Sequence, residues 1–267
     1  MEPKSWVPSE IDVSRPSAAR MYDYYLGGSH NFQVDRDMAE EAIELWPELP
    51  KIIRANRAFL HRAVRTVSEQ GVNQFLDIGS GIPTVGNVHE VARRWVPDAT
   101  VAYVDRDPVA VAHSRALLAG DDRTAVLQAD LRDPDAIFGD PALRRMLDLT
   151  RPVALLLVAV LHFIPETDEP HAAVRRLVER LPAGSFLVLS HASPPSRPEV
   201  SASHEELYQR TPTPLTMRTE PEIRAFFDGM ELLEPGLVRI AKWRADGSAG
   251  DLADHELAGH AGVGRLR

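Results

Sequence analysis

The hydrophobic pattern changes period once along the chain. Up to about Gly71 apolar positions recur at helical spacing. A short helix is predicted over Pro16–Leu26, opened by proline and closed by Gly27-Gly28, and a second over Asp35–Leu45, ended by Pro47. The third, Ile52–Gln70, places Ile52, Ile53, Phe59, Leu60, Ala63, Val64 and Val67 near a 3.6-residue period, with Gly71 at its C-cap. Beyond Gly71, short apolar runs alternate with helical segments. Strands are predicted at Gln74–Ile78, Thr100–Val104, Thr124–Gln128, Val153–Leu161 and Ser185–Ser190. Helices are predicted at Val85–Val96, Pro108–Leu118 and Glu169–Leu181, with short helical pieces over Asp133–Leu149. Val153–Leu161 shows no alternation, as expected of a central strand covered on both faces. This order predicts an α/β protein, a Rossmann-like three-layer sandwich around a mostly parallel sheet. Residues 1–71 form an N-terminal helical extension or lid, and 72–267 the main domain.

The last third is less regular. A proline-rich stretch over Ser193–Ser203 precedes a polar helix near Ser203–Gln209, and Thr219-x-x-Glu222 is a capping box before Ile223–Asp228. Glu231–Leu233 and Leu237–Trp243 are predicted to pair as a hairpin across Pro235-Gly236, and the tail after Asp246 to be loosely ordered in its first half.

Composition narrows the chemistry. Cysteine is absent from the 267 residues, which excludes disulfides, thiolate zinc sites and cysteine nucleophiles. The net charge of −9 makes nucleic acid a poor partner, because an acidic surface repels phosphate. The longest apolar run spans nine residues against the roughly 20 of a membrane helix, and the N-terminus has no signal-peptide core, so a soluble cytoplasmic protein without membrane contact is expected.

The turn Gly79-Ser80-Gly81 joins the first predicted strand to its helix, where open parallel sheets bind ligands. Gly-x-Gly alone is a weak signal, and two carboxylates sharpen it. Asp105 ends the second strand, 26 residues after Gly79, where it can accept bonds from both ribose hydroxyls of a nucleoside. Asp77 ends the first strand. It would repel a dinucleotide pyrophosphate and attract a cation such as the amino group of S-adenosylmethionine. Thr84 also stands where a dinucleotide fingerprint has its third glycine. Asp130, ending the third strand, is placed to meet an adenine amino group, or equally to cap its own loop. Arg106 and Asp107 flank Asp105, and Asp107 suits an N-cap before Pro108.

These residues resemble the class I S-adenosylmethionine-dependent methyltransferases. More narrowly, the chain resembles the S-adenosyl methyltransferase family known chiefly from actinobacteria. The matching segments run in order along nearly the whole chain: PSAARMYDYYLGGSHNFQVDR (Pro16–Arg36), Gln74–Thr84, YVDRDP (Tyr103–Pro108), ADLRDP (Ala129–Pro134), LLLVAVLHFIP (Leu155–Pro165), FFDGMELLEPG (Phe226–Gly236) and Ala261–Gly264. The resemblance implies a seven-stranded sheet with an antiparallel last strand, S-adenosylmethionine as methyl donor and no metal. It implies that Asp77, Gly79 and Gly81 surround the methionine part, that Asp105 meets the ribose, and that Asp130 with Leu131 lies near the adenine, with Ser80 and Arg106 as further donor-binding candidates. It places Ala159, Val160 and His162 by the methyl-transfer region. The Ile82-Pro83-Thr84 sequence departs from the class pattern at the turn into the next helix.

Methyl transfer needs chiefly positioning and water exclusion. Where the acceptor is a hydroxyl a base helps, and His162 is the first candidate, with His191 the second. Each also has the plainer reading of a packed histidine bonded to backbone. The segment Met21–Phe32 carries more polar and glycine positions than a core helix needs. It is expected to be a lid over the donor, with Tyr22, Tyr24, Gly28, Asn31 and Phe32 shaping the acceptor pocket and Arg20 and Arg36 pairing with carboxylates there or with an acidic acceptor. Ser193–Ser203 and Thr211–Pro214 are further candidates to line it. The expected acceptor is a small molecule, methylated on oxygen or nitrogen. A donor-binding regulator without catalysis and a nicotinamide oxidoreductase are the alternatives, the latter disfavoured by Asp77 and Thr84.

Overall fold

The computed structural model describes residues 14–83, 86–194, 198–248 and 258–267. Thr84, part of the Ser193–Ser203 stretch and residues 249–257 of the tail after Asp246 lie outside the described residues.

The described residues begin with three helices, α1 (Ala18–Tyr25), α2 (Gln33–Leu45) and α3 (Leu49–Glu69). Then follow β1 (Gln74–Ile78), α4 (Val88–Arg93), β2 (Thr100–Asp105), α5 (Pro108–Leu117), β3 (Thr124–Gln128), α6 (Pro134–Gly139) and α7 (Pro141–Met146). The second half holds β4 (Ala154–Val158), α8 (Pro170–Val178), β5 (Phe186–His191), α9 (Pro198–Tyr208), α10 (Glu220–Arg224), β6 (Glu231–Leu232), β7 (Val238–Arg239) and β8 (His260–Arg265). Caps foreseen from the sequence are formed. Asp107 accepts from the Val109 amide at 2.8 Å, and Thr219 and Glu222 make their capping box.

The sheet runs β3-β2-β1-β4-β5-β8-β6, with β7 also on β8. The first five strands are parallel, and β8 lies antiparallel to β5. The sheet therefore has eight strands instead of the seven expected. The extra one comes from the predicted hairpin, whose two arms do not pair with each other. Glu231 and Leu232 pair with Arg265 and Gly264, and Val238 and Arg239 with Ala261 and His260. They are two short pieces of one edge along β8, interrupted by a turn in which Gly236 has φ +86°. Chain expected to be strand beyond Arg239 winds instead into a 3-10 turn, Ile240–Lys242.

Because successive strand residues face opposite sides, the sheet carries two cores. Leu76, Ile78, Val104, Leu155, Leu157, Leu187 and Leu189 pack towards α6, α7 and α8. Phe75, Val101, Leu156, Phe186 and Val188 pack on the other face against Phe59, Ala63, Val64 and Val67 of α3, and against α4 and Trp243. A third core is separate from the sheet. Met21 and Tyr25 of α1, Met38 and Ala42 of α2, and Leu49 and Ile52 at the start of α3 pack with Val200, Leu207 and Tyr208 of α9. The cap over the carboxyl edge of the sheet is thus built from the N-terminal helices and from α9, distant in sequence, and α3 joins it to the sheet.

One local departure shapes the site. Strand β4 stops at Val158, short of the expected Leu161, because Ala159 takes φ +57° and the chain turns into a 3-10 helix at Leu161–Phe163. That left-handed conformation is costly for a residue with a Cβ. Both hydrogen bonds that hold it come from Ser190, whose carbonyl and Oγ accept from the Ala159 amide at 3.1 and 3.0 Å.

Candidate donor and acceptor site

A cavity of about 380 Å³ opens beyond the carboxyl ends of β1, β2, β3 and β4. The turn after β1 forms its floor. Gly79 has φ +73°, and a Cβ there would stand 2.3 Å from Val160 Cγ2, so only glycine permits this approach. Gly81 has φ +66° and donates its amide to Asp105 Oδ2 at 2.7 Å. Asp105 also accepts from the Asp107 amide at 2.8 Å, which fixes the carboxylate at the mouth of β2.

Asp77 is buried, and burial pushes its carboxyl up to about 7. Arg57 opposes that rise and the Asp105 charge adds to it. Burial likewise raises Asp105 to about 6, against the pull of its backbone hydrogen bonds. Two buried carboxylates side by side, both held above the ordinary range, form a site short of positive charge. An ammonium group beside Asp77 and paired hydroxyls beside Asp105 fit it.

The structure gathers Asp77, Gly79, Ser80, Gly81, Asp105, Arg106, Asp130, Leu131, Ala159 and Val160 along this one cavity. Asp130 is already engaged, because Arg132 donates to both its oxygens through Nε and Nη2, and Arg106 lies 3.8 Å away. Partial burial raises that carboxyl, but the Arg132 bonds outweigh it and it stays below the usual range. The first helix closes one side of the cavity through Ser17, Ala18, Arg20 and Tyr22. Ser17 Oγ reaches across the mouth to Asp107 Oδ2 at 2.6 Å.

The segment after Tyr22 is placed otherwise than expected. Tyr24 points to the outside and donates to Glu40 at 2.6 Å. Gly28 lets the chain fold over Asp23, since a Cβ there would lie 2.0 Å from Asp23 Oδ1. Asn31 donates to Asp23 at 2.9 Å and to the Gly28 carbonyl at 3.0 Å. Phe32 caps α2 through its amide, which donates to Asp35, and packs under Arg20 at 5.2 Å. Of this group only Tyr22 lines the cavity. Gly28 and Asn31 hold the loop in shape around Asp23 and do not line this cavity. Arg20 pairs with buried Asp35 at 2.8 Å, whereas Arg36 bonds Asn31 and Gln33.

The two candidate bases are also held by the protein. The His191 Nδ1–H donates to the Ala192 carbonyl at 2.7 Å, and Nε2 accepts from buried Arg218 at 2.8 Å. Neither nitrogen is left for a substrate proton. His162 accepts from the Ala192 amide at Nδ1, at 3.3 Å, so its hydrogen sits on Nε2. Burial, with Arg218 and His204 nearby, takes the His162 ring down to about 3. His162 is therefore arranged as a donor, not as a base.

Two residues absent from the sequence reading stand out. Arg57 of α3 lines the cavity beside Asp77 and bonds Asn87 at 3.3 Å. Asn56 is buried in the middle of a relay: Ser190 Oγ donates to Asn56 Oδ1 at 2.6 Å, and Asn56 Nδ2 donates to Tyr22 Oη at 2.9 Å. Asn56 had a signal, a polar residue on the apolar stripe between Ile52 and Leu60. Arg57 lies on the flank of that stripe, where arginine is ordinary.

Fold and site together define a Rossmann-like protein with a cavity beyond its parallel strands that holds two buried carboxylates. Residues 4–267 match the S-adenosyl methyltransferase family, and the chain belongs to it. It is similar to a DUF574 family protein from Streptomyces avermitilis, with 40% identity, a TM-score of 0.92 and coverage of 96% of this chain and 99% of that one. It is also similar to a candidate methyltransferase from Thermobifida fusca, with 41% identity, a TM-score of 0.90 and coverage of 99% and 100%. An O-methyltransferase family protein from Burkholderia thailandensis, at 15% identity and a TM-score of 0.51 over 86% of this chain and 70% of that one, shares the fold. No curated protein matches the chain. The protein is an S-adenosylmethionine-dependent methyltransferase, and S-adenosylmethionine is its cofactor. Among the described residues no helix is long and apolar enough to cross a membrane.

Proposed function

We propose that the chain methylates an oxygen or nitrogen of a small molecule, in the cytoplasm, with the donor seated in the larger cavity. Asp105 takes the ribose hydroxyls, Leu131 and Asp130 border the adenine, and Asp77 takes the amino group. Arg57 takes the carboxylate of the same amino acid, an oppositely charged pair matched to a zwitterion. Bound there, S-adenosylmethionine supplies a methyl group already activated by the sulfonium. The protein's part is then positioning. Gly79 brings the backbone close, Ala159 and Val160 wall the cavity beyond β4, and α1 covers the mouth against water. With His191 occupied and His162 set as a donor, no histidine takes the acceptor's proton, which passes to water. The acidic chain disfavours nucleic acid as acceptor.

The observation that carries this reading is Asp77, a buried carboxylate held up to about 7 beside a single arginine, where a ligand cation restores its charge. Calorimetric titration with S-adenosylmethionine, S-adenosylhomocysteine and NAD tests the donor site. Tight NAD binding with no response to the other two would sink it. A screen of small phenols, amines, carboxylic acids and oligonucleotides with radiolabelled donor tests the acceptor class, and label entering only the oligonucleotides would overturn that part.

A further inference from the structure

Beneath the cap lies a second cavity, of about 90 Å³. Ala18, Tyr22, Asn56, Ala159 and Phe163 line both cavities, so the two are neighbours across that wall. The inner one differs in chemistry. No Asp, Glu, Lys or Arg is among its lining residues, which include Tyr25, Trp46, Leu49, Phe163, Tyr208 and Leu215. Its three histidines are neutral. Burial takes His162 to about 3 and His204 to about 4, and takes His191 well below its usual value. A carboxylate or ammonium placed there would be an unpaired buried charge, which costs several kcal/mol.

The wall is equipped for one polar group. His204 Nδ1 is buried with no hydrogen-bond partner among the described residues. Tyr22 Oη accepts from Asn56 at the end of the relay that begins at the Ala159 amide, so its own hydrogen remains to be donated. Burial raises Tyr22, which keeps that hydrogen in place at neutral pH. The volume sets a further limit. An apolar cavity of about 150 Å³ accepts a benzene ring, so a ring in this smaller one must project an edge through the shared wall.

We infer that the inner cavity is the acceptor pocket, and that it takes an uncharged, mainly apolar ring compound whose hydroxyl or ring nitrogen lies at the Tyr22–Ala159 wall. The assignment rests on the donor occupying the larger cavity. Tyr22 is then a positioning residue, donating to the reactive group, and His204 answers a second polar atom on the ring where one exists.

The test uses full-length protein saturated with S-adenosylhomocysteine, titrated by calorimetry or ligand-detected NMR with phenol, benzoate and benzylamine. Phenol is expected to bind, and the two ions at least about tenfold more weakly, as an unpaired buried charge requires. Leu215→Trp, which fills the inner cavity alone, is expected to weaken phenol by about tenfold or more while S-adenosylhomocysteine affinity stays within about twofold. Ala192→Leu is the second filling variant if the first does not fold. Absence of phenol binding by the wild type, equal binding of benzoate or benzylamine, or filling variants that keep phenol affinity would each overturn the pocket. Failure of the wild type to bind S-adenosylhomocysteine would instead overturn the donor assignment, and the acceptor pocket with it.

Discussion

Replacing Asp77 by Asn separates the cost of this carboxylate from its use. In the folded apoprotein Asp77 is held at about 7 against an ordinary 3.8. Each unit is worth 1.36 kcal/mol, so ionised Asp77 destabilises the apoprotein by about 4 kcal/mol above neutral pH. The sign follows from the direction of the shift. The folded state binds this proton more tightly than the unfolded state, so the carboxyl is neutral in both at pH below 4. Its destabilising effect grows as pH rises from about 4 to about 7 and is constant above. Asparagine carries no charge but leaves a buried amide in need of partners, at roughly 1–3 kcal/mol. Asp77→Asn is therefore expected to stabilise the apoprotein at pH 8 by about 1–3 kcal/mol, raising Tm by roughly 2–4 °C per kcal/mol. Ligand affinity should move the other way. A charge-assisted hydrogen bond to an ammonium group contributes about 1.5–3 kcal/mol, so S-adenosylhomocysteine should bind about 10- to 150-fold more weakly. Wild-type affinity should also fall as pH drops below about 7, with no matching fall in the variant. Thermal unfolding and calorimetry on both proteins across pH 5–8 read all three effects. An apoprotein destabilised by the substitution, or an unchanged dissociation constant, would refute the reading of Asp77 as a cation site.

The other expectations concern neighbouring parts of the same structure. Gly79→Ala meets both a φ of +73° and the Val160 side chain at 2.3 Å, whereas Gly81→Ala meets strain in open space. Unfolding in urea should show a loss of about 2–5 kcal/mol for the first and about 1–2 for the second. Arg57→Met should weaken S-adenosylhomocysteine by about 10-fold or more and leave 5′-methylthioadenosine, which has no amino-acid part, within about twofold in the same titration. Equal losses for both ligands would remove Arg57 from the carboxylate role. Phe59→Ala, which opens the fully buried packing of α3 on the sheet beside Trp243, should cost about 3–5 kcal/mol in chemical denaturation without changing ligand selectivity.

Period and punctuation determined the central architecture. Apolar runs of strand length between helical segments are readable because backbone geometry alone sets the periods of 2 and 3.6. Asp77, Gly79 and Asp105 were readable as a site for the same reason: strand-end positions after β1 and β2 converge in any parallel sheet. What depended on contacts distant in sequence was not readable. Strand β8 holds Gly262 and Gly264, poor strand formers, and exists because β5 and the β6–β7 edge bond it from both sides while Phe227 and Met230 fill the space above the glycines. Tyr24, Gly28 and Asn31 have the residue types of a ligand loop, and only folding showed them turned towards Glu40 and Asp23. Arg57 looks like any surface arginine until α3 is laid against β1. The inner cavity is the clearest case. Its wall joins α1, α3, β5 and α9, regions distant in sequence, as where Tyr25 meets Tyr208 across 183 residues. No local pattern encodes such a space. It is the volume left when the cap closes over the turn at Ala159, and its lack of charge follows from which side chains that closure brings together.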